Sequence, residues 1–204
     1  SGRHSRLKRI ILDFNPLGSH GIRLITEGLK HNTTLKDLSL QYCEIESKGG
    51  KYLGEMLLSP EDKDGFGLKK SLESLNLCGN PLKCAGIGMF AQGLAKNRTL
   101  KSLDLENTSF GHEVEATRAL AEAISLCSTL TSVNIMGNLI SNHGARVLLM
   151  TMEHTHHVVD LRITQFVDNI IYSAIKKWTT HNKSLKKPKR KSRGKSSKKK
   201  STKK

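Results

Sequence analysis

Apolar residues in this chain follow a frame that repeats. Leu72 to Leu82, LESLNLCGNPL, has Leu at its first, fourth, sixth and eleventh positions and Asn at its ninth. The alternation of Leu75 and Leu77 is a strand period and turns both side chains to one face. Asn80 stands where the chain must turn, and its carboxamide can satisfy backbone groups left unpaired there. The same frame opens at Leu7, Leu35, Leu72, Leu100, Leu130 and Val158, at intervals of 28, 37, 28, 30 and 28 residues. The fourth, sixth, ninth and eleventh places read Ile10, Leu12, Asn15, Leu17 in the first unit and Leu38, Leu40, Cys43, Ile45 in the second. They read Leu103, Leu105, Thr108, Phe110 in the fourth unit and Val133, Ile135, Asn138, Ile140 in the fifth. The sixth unit keeps Leu161 and Ile163 and breaks at Phe166 and Asp168.

The second half of each unit has a helical period. Gly21, Gly49, Gly86 and Gly144 fall at the fifteenth place, at the helix entry. A missing side chain there permits close approach to the neighbouring unit. Ile22, Leu24, Ile25 and Leu29, and again Ile87, Met89, Phe90 and Leu94, form apolar stripes on helices of about two or three turns. Asn32 and Asn97, at matching exits, are expected to end their helices in the left-handed conformation.

Strand, turn and full helix in one unit resemble the long leucine-rich repeat of the ribonuclease-inhibitor type, over Leu7 to about Asn182. Units this small cannot bury an apolar face alone and must stack. The expected fold is an α/β solenoid, a horseshoe of about six repeats with parallel strands on the concave face and helices on the convex face. Cys43, Thr108 and Phe166 depart from Asn at the ninth place, which puts the local turn geometry in question.

The expected repeat domain covers residues 1–182 and ends in a capping helix over about 169–182. There Ile170, Ile171, Ala174, Ile175 and Trp178 make one apolar face on an otherwise polar segment. At the other end Leu7 opens a repeat with no polar cap before it, so we expect further repeats upstream in a longer chain. The second unit is nine residues longer than its neighbours, with the excess near SPEDKDGFG, Ser59 to Gly67. Its Pro, Gly and acids describe a surface loop, either a tolerated insertion or a partner-contacting one. The fourth unit carries two extra residues near Gly111 to Glu115.

The chain's 204 residues carry a formal net charge of +16. That charge belongs to one end, because residues 183–204 hold 13 Lys or Arg and no acid, leaving a net of about +3 for the rest. With Lys, Ser and almost nothing apolar, this tail is expected to be disordered. Three readings stand for it: a nuclear-localisation signal in KKPKRK (Lys186, Lys187, Lys189, Arg190, Lys191, with Arg193 just beyond), a binder of acidic surfaces such as tubulin tails or nucleic acid, or a solubilising tail. No aromatic interleaves the charges to stack on single strands. No apolar run approaches the roughly 20 residues of a membrane helix.

Cys43, Cys78, Cys84 and Cys127 follow no paired spacing and read as free thiols, which favours a reducing, intracellular compartment. No catalytic set, cofactor site or metal site is assigned. His154, His156 and His157 cluster, but the first two are poorly placed to face one ion on a helix, and no carboxylate or Cys stands at ligand spacing. The glycines form no phosphate loop.

Binding in this architecture usually occurs on the strand face. The candidate partner-binding residues, read as exposed strand positions, are Asp13, Phe14, Gln41, Tyr42, Asp104, Glu106, Asn134, Met136, Arg162 and Gln165. The aromatics are either hot-spot anchors or shields for the first strands.

Among families with this repeat, ribonuclease inhibitors imply an acidic, Cys-rich surface, which this chain lacks. Ran-type GTPase-activating proteins imply an acidic terminal region and an early Arg and Asn with no assignable counterpart here. Nucleotide-sensing immune receptors end in similar repeats but rarely in a polybasic tail. The final unit, VVDLRITQFVDNIIYSAIKKWTTHN, with Leu161 and Arg162, is similar to axonemal and ciliary repeat proteins such as dynein regulatory complex subunit 5. The expectation is a non-enzymatic protein-binding scaffold, monomeric within a larger assembly, in the cytoplasm or cytoskeleton (cilium or flagellum), with the nucleus as alternative. The rival is a Ran-type GTPase-activating enzyme or a nuclear or innate-immune repeat protein.

Overall fold

The computed structural model describes residues 6–58 and 71–186. The loop expected at Ser59 to Gly67 and the tail beyond Lys186 lie outside them. Strands β1 (Arg9–Ile11), β2 (Asp37–Ser39), β3 (Ser74–Asn76), β4 (Ser102–Asp104), β5 (Ser132–Ile135) and β6 (Asp160–Ile163) pair in sequence order as one parallel sheet. Helices α1 (Gly18–Gly28), α2 (Ser47–Leu57), α3 (Lys83–Lys96), α4 (Val114–Leu126), α5 (Asn142–His154) and α6 (Asn169–Leu185) follow them one for one. Register is set by the frame: Ile10 pairs with Leu38, Leu38 with Leu75, Leu75 with Leu103, Leu103 with Val133 and Val133 with Leu161. A slip of one residue would turn that whole row away from the core. Leu77 and Leu105 are fully buried, as are Ile87, Phe90 and Leu94 of the α3 stripe.

Two of the three ninth-place asparagines, Asn80 and Asn138, bind units to one another, while Asn15 bonds to Leu12 O and Asp13 O of its own unit. The Asn80 amide donates to the carbonyls of Leu77 and, in the preceding unit, Leu40, while its oxygen accepts from the N–H groups of Cys43 and Ile45. Asn138 does the same for Leu105, Thr108 and Phe110. This resolves two of the three departures from Asn; the third, Phe166, is 92% exposed. In the intervening units Cys43 Sγ donates to Leu12 O at 3.1 Å and Thr108 Oγ1 to Leu105 O at 2.8 Å. A short donor suffices at these places, because the next unit's Asn satisfies their N–H groups.

Helix packing is closest between α2 and α3. A Cβ added at Gly50 would lie 2.1 Å from Gly86 O, and one at Gly93 would lie 2.1 Å from Gly54 O. Of the four entry glycines, Gly86 is pressed on the neighbouring backbone at Ser47, and Gly144 faces Thr117 of α4. At Gly21 and Gly49 the nearest atoms belong instead to Leu17 and Ile45 of the same unit.

Two expectations about helix ends need correction. Asn97 is extended (φ −73°, ψ 144°), not left-handed. It closes α3 with its side chain, accepting from Thr99 N and Leu100 N and donating to Leu57 O. Asn32 likewise accepts from Thr34 N and Leu35 N. In α6, Ile171 and Ile175 are buried, but Ile170 is 81% exposed. It lies one residue off the buried line that continues through Thr179 and Asn182. The helix runs on to Leu185, three residues past its expected end at 182, and Asn182 ties it to Thr155 O and Val158 O.

Candidate functional site: the strand face

The eighth place of the frame gives this face its shape. Phe14, Tyr42, Gly79, Asn107 and Gly137 occupy it in successive units, and all have positive φ, from 50° to 74°. The chain must turn sharply there to bring the ninth-place side chain under the strands. For Phe and Tyr this left-handed backbone is costly. It holds the two rings parallel, with centroids 5.3 Å apart and planes 6° from one another. Tyr42 lies over Gly79, where an added Cβ would stand 2.3 Å from its ring. Phe14 is 73% exposed and Tyr42 46%. Beneath them Asp13 accepts from Ser39 Oγ, Gln41 N and Gln41 Nε2, which fixes the half-buried Asp13 and Gln41 to each other.

The second half of the face is polar. Asn134 was expected to be exposed and is 6% exposed. Its amide donates to Asp104 Oδ2 at 3.0 Å and Glu106 Oε2 at 2.8 Å, so the carboxylates of the preceding strand cover it. Asp104, Glu106 and Met136 remain accessible, the last 41% exposed. Arg162 is exposed and donates to Asp160 at 3.3 Å; Gln165 is exposed beyond it. The structure thus gathers Phe14 with Tyr42, Asp13 with Gln41, and Asp104, Glu106 and Asn134 with one another. Arg162 and Gln165 stand apart on the last unit.

At the strand entries Glu73 lies between Lys36 and Lys101 and bonds to both. Those two bonds hold its carboxyl down to about 2 from an ordinary 4.5. Of the tail candidates only Lys186 is described. It follows α6, and its Nζ donates to His157 O; Lys187, Lys189, Arg190, Lys191 and Arg193 lie outside. The three clustered histidines do not converge. His154 and His156 are exposed, whereas His157 bonds to Ile124 O, and burial pushes its imidazole downward.

All four cysteines are free, with Cys43, Cys84 and Cys127 buried. Two groups bring metal-ligating atoms within 4.8 Å of one another: Cys78, Asp104 and Glu106; and Cys84, His112 and Glu113. In the first, Asn134 already donates to both carboxylates, and burial together with their charge pushes the Cys78 thiol up. The second escaped the sequence reading. Its signal is a shared place in the frame: Cys84 and His112 are both thirteenth in consecutive units.

Six parallel strands in register, a full helix per unit and asparagines bridging the turns define a leucine-rich-repeat solenoid. A model of the family described as Leucine Rich repeat matches residues 31–54 and 126–149. The repeats are leucine-rich repeats of the ribonuclease-inhibitor type. The chain is 27% identical over 169 residues to NACHT, LRR and PYD domains-containing protein 4C of Mus musculus, covering 80% of this chain and 16% of that protein. With the ribonuclease inhibitor of Mus musculus it shares 27% identity over 146 residues, covering 71% of this chain and 30% of that one. The chain therefore spans a minor part of the length of these relatives. Among solved structures, Leiomodin-1 Actin-Binding Site 2 has the same fold, at a TM-score of 0.56 and 12% identity, with 87% of this chain and 82% of that one covered. Among the described residues no helix is long and apolar enough to cross a membrane.

Proposed function

We propose that the repeats are a non-enzymatic protein-binding scaffold whose partner docks on the concave strand face. The observation that carries this is the pair Phe14 and Tyr42. Two aromatics are held in a costly backbone conformation, stacked and exposed, where a smaller residue would turn the chain at lower cost. Asp104, Glu106 and Met136 add a polar, acidic half that suits a partner carrying basic groups beside an apolar one. The finer reading is an axonemal or ciliary adaptor. It rests on the resemblance of the last unit, with Leu161 and Arg162 on its strand and α6 after it. The tail adds affinity for acidic surfaces such as tubulin tails or nucleic acid.

Affinity capture from an extract of ciliated cells tests the docking surface, with the whole chain compared against Phe14→Ala/Tyr42→Ala by quantitative mass spectrometry. Salt-resistant partners should be depleted by the double substitution. An unchanged set of captured proteins would remove the strand face from the proposal.

A further inference from the structure

Cys84, His112 and Glu113 lie outside the strand face, at the entries of α3 and α4. The period of 28 residues between Leu72 and Leu100 sets Cys84 and His112 side by side. The two-residue insertion in the fourth unit then matters. It delays α4 until Val114, whereas α3 starts at the twelfth place of its unit and α2 and α5 at the thirteenth. His112 and Glu113 are thereby left in the loop, laid over the first turn of α3. Gly111, at φ 106° and pressed against Ile140, makes the bend that puts them there.

The ligand atoms of the three side chains lie within 4.8 Å of one another, close enough to be gathered around one ion. Cys84 Sγ lies 3.4 Å from His112 Nδ1 and 3.8 Å from Nε2, and Nε2 lies 3.4 Å from Glu113 Oε1. Ordinary zinc–ligand bond lengths in a tetrahedron put a sulfur about 3.5 Å and a carboxylate oxygen about 3.4 Å from the imidazole nitrogen. Thiolate, imidazole and carboxylate together suit Zn2+ rather than Mg2+ or Ca2+, which take oxygen ligands. Cys84 is 4% exposed and fixed in α3, while the side chains of His112 and Glu113 are 57% and 61% exposed. One ligand is thus rigid, and the exposed His112 ring and Glu113 carboxylate are free to turn so that Nε2 and Oε1 meet an ion held by the sulfur.

We propose that Cys84, His112 and Glu113 form a zinc site with three protein ligands, through Sγ, Nε2 and Oε1, and a fourth position open to solvent. Binding converts the Cys84 thiol to a thiolate and releases its proton to solvent, so affinity rises with pH. The open position admits a water or a side chain of a bound protein.

The test uses the whole chain, freed of metal with a chelator, and Zn2+ or Co2+ alone as probe. One equivalent of Zn2+ should bind in competition with a chromophoric chelator, and Co2+ should give a thiolate-to-metal charge-transfer band. Cys84→Ser should abolish the band. His112→Ala and Glu113→Gln should each weaken binding by about tenfold or more, since even outer-shell groups reach that. Cys78→Ser and His154→Ala/His156→Ala should leave binding unchanged. Zn2+ should also protect Cys84 from alkylation in the unsubstituted chain, a readout that does not depend on Cys84→Ser folding. No stoichiometric binding, or binding indifferent to His112→Ala, would overturn the site. So would alkylation of Cys84 at the same rate with and without Zn2+.

Discussion

The two halves of the strand face present different frame positions: the eighth place in the first two units, the fifth and seventh places in the fourth and fifth. In the first two units the exposed places hold Phe14 and Tyr42, stacked in a row that ends on Gly79. In the fourth and fifth they hold Asp104, Glu106 and Asn134, which bond to one another and leave only acids and Met136 at the surface. The frame decides where each side chain starts. Its neighbour one unit away decides whether it is free to meet a partner. Tyr42 is available because a glycine lies beneath it, and Asn134 is not because two carboxylates lie over it.

The largest effect should come from removing that glycine. Gly79→Val puts a β-branched residue at φ 74° and drives its Cβ into the Tyr42 ring. The strained backbone alone costs about 1–3 kcal/mol. Chemical denaturation should show the loss, and capture of partners should fall with it if the aromatic half is the docking surface. Asn134→Ala breaks the acidic half instead. It leaves Asp104 and Glu106 without their shared donor and should cost roughly 1 kcal/mol, with the aromatic half untouched.

A smaller effect separates both halves from the strand entries. Glu73 has a folded value of about 2 against an ordinary 4.5. A depressed carboxylate contributes stability above its unfolded value, and that contribution is lost as pH falls from about 4.5 through about 2. Glu73→Gln should therefore flatten the pH dependence of the thermal midpoint in that acid window, with a loss of stability that is largest and nearly constant above about pH 4.5. An unaltered acid profile would mean that Lys36 and Lys101 do not hold the carboxylate in solution.

The Leu frame made the strands, their order and their register legible, because burial on one face leaves little freedom once the period is known. Side-chain surroundings were less so. Asn134 shares its place in the frame with Asp104 and looks equally exposed until the sheet lays the earlier strand's carboxylates across it. Ile170 and Ile171 are equivalent in hydrophobicity, and only the rotation of α6 distinguishes them. Asn97 was legible as a helix end, yet it works through its carboxamide rather than a left-handed backbone. Cys84 and His112 come together only when units are aligned by register and the insertion near Gly111 is placed before α4.

In the proposed function, recognition is divided between a strand face that selects a protein and a basic tail that attracts charge. This division is tested most directly by a salt titration of binding to microtubules and to duplex DNA, on the whole chain and on a chain ending at Lys186. Residues 187–204 carry 11 Lys or Arg and no acid. Binding by the whole chain should fall steeply with salt, for DNA with a slope approaching about −0.9 per phosphate neutralised. The shortened chain should lose it at an unchanged melting temperature while still capturing its salt-resistant partners. Salt-insensitive binding to either polymer by the shortened chain would contradict the division and place the polyanion site on the repeats.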